Sequence, residues 1–202
     1  MTNLTDNSTR LSREIAREYA NLITKYKDYD IYDIIHNLEE FIESFGVKVF
    51  YSNMNGFNHL NEVSGYSIVN KKGKPEIVIN ANDSFKRQRF TMAHEFGHII
   101  MHWDWLNNKE GGLNSDNAEI LFRKSYYADD DDIKEMQANE FAAELLLPRN
   151  ILIDIIGDIN KLRNDPVLFE QIKLRIANAF AVSEAFAYVQ LNKIIGEELY
   201  EQ

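Results

Sequence analysis

The apolar positions along this chain change period several times, and each change marks an element. From residue 10 to 27, Leu11, Ile15, Tyr19, Leu22, Ile23 and Tyr26 recur at helical spacing. A helix with that set turned inward is expected. A second helix is expected over about 30–45, with Ile31, Ile34, Ile35, Leu38, Phe41, Ile42 and Phe45 inward and Gly46 as its stop. The period then drops to two. Val47–Tyr51, Val63–Val69 and Glu76–Ile79 read as strands, and 53–61 reads as an Asn- and Gly-rich loop. The last two strands are joined by Asn70–Pro75, which has hairpin chemistry, with Gly73 supplying an unusual φ.

Helical spacing returns after Asn82-Asp83-Ser84, three N-cap residue types, and runs to about Trp103 or Asp104. Residues 104–133 read as irregular. Within them Asp129–Asp132 lack the spacing of a calcium loop and read as a solvated turn before a helix. A strong helix follows over 132–147 and ends at Pro148. Leu168–Phe180 and Glu184–Ile195 read as two further helices, separated by Val182-Ser183, with Gly196 as the end.

Composition narrows the chemistry. The chain has 202 residues, 45% hydrophobic, with twelve Phe and no Cys. That supports one substantial core and rules out disulfides and thiolate metal sites. The net charge of −10 argues against a phosphate-binding surface, so no direct nucleic-acid binding is expected. The polar start MTNLTDNSTRLS has no apolar signal region and no run reaches membrane-span length, so a soluble cytoplasmic protein is expected.

The chemistry concentrates in His94-Glu95-Phe-Gly-His98. Two histidines four apart share a helical face and can hold one metal ion, while Glu95 stays near enough to handle the proton of an activated water. Gly97 is costly inside a helix and leaves room for another element to come close. His102 is one turn further on, but in an unbroken helix it lies about 12 Å along the axis from His94. It is therefore expected beside the site rather than in the ligand set. Lys86, Arg87 and Arg89 are expected on a solvated face, His36 and His59 as ordinary surface histidines. Tyr126 or Tyr127 is a candidate to stabilise an oxyanion.

Three glutamates on the 132–147 helix compete for the third ligand position. Glu135 shares a face with Asn139, whose oxygen suits the free ring N–H of a ligand histidine. Glu140 and Glu144 are expected in solvent. Glu135 with His94 and His98 would leave one position open for water, and such a donor set suits Zn2+.

Phe90-Thr-Met-Ala-His-Glu-Phe-Gly-His98, followed by Glu135-Met-Gln-Ala-Asn-Glu-Phe-Ala-Ala-Glu-Leu-Leu-Leu-Pro148, resembles the ImmA/IrrE family of bacterial and phage metallopeptidases. The resemblance implies an α+β, zincin-like domain with a small β-sheet and a C-terminal helical subdomain. It implies zinc on His94, His98 and Glu135 and a general base at Glu95. The domain division expected is 1–157 for the peptidase and 158–202 for a helix-turn-helix-like part. The substrate implied is a helix-turn-helix (XRE-type) repressor in phage, mobile-element or stress-response control. The alternative is a non-proteolytic regulator that holds a structural metal and binds a transcription factor or toxin–antitoxin partner. The oligomeric state is not readable.

Overall fold

The computed structural model describes residues 2–55, 63–108, 112–113 and 129–198. In order the elements are α1 (Thr2–Lys27), α2 (Ile31–Glu43), β1 (Lys48–Ser52), β2 (Gly65–Val69), β3 (Pro75–Asn80), α3 (Phe85–Met101), α4 (Trp105–Asn108), α5 (Asp129–Leu146), α6 (Arg149–Ile156), α7 (Ile159–Asn164), α8 (Pro166–Ala179) and α9 (Glu184–Glu198). The fold is α+β, mostly helical with one small sheet and helices at the C-terminal end. His59, Tyr126 and Tyr127 lie outside the described residues.

The sheet has the order β1-β3-β2. β2 and β3 form the expected hairpin, antiparallel with Ser67 opposite Ile77, and Gly73 takes φ +72° in the turn. β1 runs parallel to β3 on its other side. β3 is thus central, which explains its apolar run Ile77-Val78-Ile79, buried throughout. α3 lies against the sheet, and Phe41, Phe45, Phe96 and Phe141 meet edge-on or tilted with centroids 5.3–6.0 Å apart. Helix starts follow local capping. Asp30 and Asp33 form a capping box for α2, and Asp165 with Pro166 opens α8.

Several expectations are corrected. Among the residues of α1 whose burial is described, Ala16, Ala20 and Ile23 are buried, whereas Leu11, Ile15, Tyr19, Leu22 and Tyr26 are exposed. Small residues let α1 approach α5 closely, and that contact outweighs the wider apolar stripe. Glu140 and Glu144 are buried rather than solvated. Glu140 accepts from Arg17 Nε and from Lys193 Nζ, each at 2.7 Å. Glu144 accepts from Asn21 Nδ2 at 3.1 Å and from the Arg149 backbone N–H at 3.2 Å. Arg17 and Arg149 also reach Glu197 on α9, at 2.8 and 2.6 Å.

Arg89 is buried too, donating from Nη2 to the Ile34 carbonyl of α2 at 3.1 Å. Arg87 and Lys86 reach Ser64 Oγ and the Ala177 carbonyl. The Asp129–Asp132 backbone forms the first turn of α5 rather than a turn before it. The 104–133 segment opens with the short helix α4, whose buried Trp105 donates from Nε1 to the Phe45 carbonyl at 2.8 Å. α9 runs through Gly196 to Glu198, beyond the expected end. α6 and α7 add two short helices that the apolar periodicity does not mark.

α5 is held between α1 and α3. Gly97 is the close point on the α3 side, where an added Cβ would sit 2.9 Å from Phe141 Cδ1 and 3.4 Å from the Ala138 Cα. Gly97→Ala gains about 1 kcal/mol of helix propensity but forces the two helices apart. A net loss of about 1–2 kcal/mol, or ~2–8 °C in Tm, is expected from thermal unfolding followed by circular dichroism.

The buried Glu140 makes stability depend on pH. Burial raises its pKa, but the charges of Lys193 and Arg17 outweigh that and hold it below the usual carboxylate range. A depressed folded pKa stabilises the protein above the unfolded value of about 4.3, and that contribution is lost as the pH falls through the folded value. Glu140→Gln leaves Lys193 without its counter-charge and Arg17 with Glu197 alone. Denaturant unfolding across a pH series should show a cost of about 3–5 kcal/mol at neutral pH and a shallower loss of stability on acidification.

Candidate metal centre

Ser84 caps α3, its Oγ accepting from Arg87 N at 3.4 Å. From there the helix runs unbroken to Met101, so His94 and His98 stack one turn apart. Both are 1% exposed, and their Nε2 atoms face each other at 3.1 Å. α5 brings in the third side chain. Glu135 Oε2 lies 3.3 Å from His94 Nε2, and Oε1 lies 3.2 Å from His98 Nε2. The three candidate ligand atoms all fall within 4.8 Å of one another. The expected trio is therefore together in space. Its carboxylate is 38% exposed, so the centre is open on that side.

The donor set fits a metal ion. The Asn139 Oδ1 sits 3.0 Å from His94 Nδ1, as the helical face had implied. An amide oxygen there requires Nδ1 to carry the proton, which leaves a lone pair on Nε2, directed at the other two donors. A nitrogen lone pair, a second imidazole nitrogen and a carboxylate brought this close are electron-rich neighbours, and a shared cation is the arrangement that suits them. Burial opposes ionisation of Glu135, yet hydrogen bonds and charge from His94 and His98 prevail and hold its pKa well below the usual range.

Glu95 is 3% exposed and lies beside His94 in sequence. Its Oε2 accepts from Ser67 Oγ at 2.7 Å. Ser67 is fully buried on β2, and sequence reasoning did not single it out. The signal was a small polar residue on the inward register of an amphipathic strand, two after Gly65. Gly65 matters to the approach, because a Cβ there would lie 2.6 Å from Thr91 Cγ2 and 2.9 Å from the Val78 carbonyl. Only a bare backbone lets β2 come this near α3 and bring Ser67 to Glu95.

His102 forms the C-cap of α3 and stays outside the trio, its ring 5.3 Å from that of His98. Burial, with the neighbouring His98, lowers its pKa to about 4.

A family model described as the IrrE N-terminal-like domain, Peptidase_M78, matches residues 42–192. The chain belongs to this peptidase family. The resemblance read from the paired motifs is thus borne out, and the match spans the sheet, α3, α5 and most of α9. No curated protein matches the chain. Membership in a peptidase family implies a protein substrate. Among the described residues no helix is long and apolar enough to cross a membrane.

Asn139 generates a direct test. Asn139→Ala should weaken metal binding about 10–100-fold by freeing the His94 ring. Competitive titration against a chromophoric chelator measures this, and unchanged affinity would show that the amide does not orient the imidazole.

Proposed function

We propose that the protein is a zinc-dependent endopeptidase of regulatory type, with His94, His98 and Glu135 as metal ligands and Glu95 as general base. The observation that carries this reading is the arrival of Glu135, from a separate helix, at the two imidazoles of the His-Glu-x-x-His helix. Two imidazoles and one carboxylate suit zinc and leave a coordination position open. The chemistry that a zinc ion supplies when bound at such a site is acidification of a water molecule and polarisation of a carbonyl.

The chain's own groups do the rest. Glu95 takes the proton of the attacking water and returns it to the leaving amine. Ser67 holds the Glu95 carboxylate by its short hydrogen bond, so the base is oriented before substrate arrives. β2 is an edge strand on the Glu95 side of the sheet, which suits it to take an extended substrate as an added strand. The C-terminal helices α7, α8 and α9 form the part that faces the substrate or a regulator. The substrate class we assign is a helix-turn-helix repressor of the XRE type, in the control of a mobile element or a stress response, acting in the cytoplasm.

Incubation with such a repressor encoded beside this gene, with and without chelator, followed by intact-mass analysis, tests the reading. One new pair of fragments is expected, absent with chelator. Glu95→Gln should retain the metal and lower cleavage by at least about 10²–10⁴-fold. Full cleavage by that variant would sink the mechanism. Tight metal binding with an intact repressor in every condition would instead favour the non-proteolytic regulator.

A further inference from the structure

The face of α1 turned away from α5 is apolar and open. Leu11, Ile15, Tyr19, Leu22 and Tyr26 are 58, 38, 38, 62 and 76% exposed. At 3.6 residues per turn they fall in one strip about 80° wide. Contiguous apolar surface of this kind marks an interaction site. The strip lies before residue 42, outside the span matched by the peptidase family model, so the metal centre does not account for it.

From Ile15 onward the spacing is four, three, four, which is the d-a-d-a pattern of a heptad. Its flanks differ. On one side Ala16 and Ile23 are buried in the chain's own core. On the other, Glu18 and Lys25 are exposed, seven residues apart, at successive g positions. Neither makes an ion pair with another described residue.

We propose that a second copy of this chain packs on this face, α1 against α1, antiparallel about a two-fold axis. Two features of the strip select that occupant and that direction. The first is size. With Tyr19 of one copy level with Leu22 of the other, Ile15 falls level with Tyr26, and every layer sets an aromatic ring against an aliphatic side chain. A parallel pair would set Tyr on Tyr and Leu on Leu. The second is charge. In the antiparallel register Glu18 of one copy lies about 3 Å along the axis from Lys25 of the other, within reach of a lysine side chain. The two-fold axis repeats the contact. In a parallel pair Glu18 would meet Ile23 of the other copy and Lys25 would face a position beyond the end of α1, so neither finds a counter-charge on the partner helix.

Sedimentation equilibrium on the full chain tests this across a concentration series. The wild type should shift to twice the single-chain mass as concentration rises. Glu18→Lys and Lys25→Glu each place like charges at both contacts, and each should raise the dissociation constant about tenfold. Mixing the two variants restores opposite charges at both contacts and should restore dimers. The double variant Glu18→Lys/Lys25→Glu should also dimerise like the wild type. Leu22→Asp should be monomeric with an unchanged circular dichroism spectrum, because Leu22 is not part of the core. A wild type that stays monomeric to millimolar concentration would overturn the proposal. So would charge variants that self-associate like the wild type and gain nothing on mixing.

Discussion

The structure depends on one close contact, the seating of α5 on α3 at Gly97. With no side chain there, Phe141 and Ala138 of α5 reach the α3 backbone, and Glu135 and Asn139 follow on the same face of α5. A helix turn further along, the same face is sealed by Ala142 and Leu145, both buried. The donors of the centre are therefore set by core packing rather than by flexible loops, which is how a site keeps its geometry to a fraction of an ångström. Gly65 plays the matching part on the sheet side. Two missing side chains let a strand and a helix close on α3 from different directions, one delivering Ser67 and the other Glu135.

The opposite side of α5 carries a different kind of constraint. Glu140 and Glu144 are buried against Arg17, Asn21, Lys193 and Arg149, which come from α1, α9 and α6. Removing such charges from water is expensive, and the network returns little net stability against a well-packed apolar equivalent. What it does specify is register. Glu140 is satisfied only with α1 and α9 in place along α5, and Glu144 only with α1 and α6, so a slide of any of these helices by a turn would strand a buried charge. The helix that carries Glu135 is thereby located from behind as well as from in front.

Local features were legible in the residues themselves. The His-Glu-x-x-His spacing, the Asn70–Pro75 turn, the Ser84 cap and the stop at Gly46 each involve groups a few residues apart, whose geometry is set by the backbone alone. Glu135 was legible because Asn139 one turn away marked its face of the helix as facing a histidine. Ser67, Glu140, Glu144 and Arg89 were not legible in the same way. A buried polar residue is told from a solvated one only by its partner, and these partners stand 28, 123, 123 and 55 residues away. α1 was turned the wrong way for a related reason. Periodicity finds the widest apolar stripe, whereas close helix packing selected the small residues Ala16 and Ala20.

The sequence by itself determined the longer elements, the paired imidazoles and the acid between them, because helical periodicity, capping and hairpin chemistry act over a turn or less. Only the tertiary structure decided that the other two acids on α5, Glu140 and Glu144, are locked behind the site rather than left in water. It also decided which serine holds Glu95 and which face of α1 is left in water. Those outcomes depend on how near two elements can come, and the atoms that permit or block the approach belong to residues far apart along the chain.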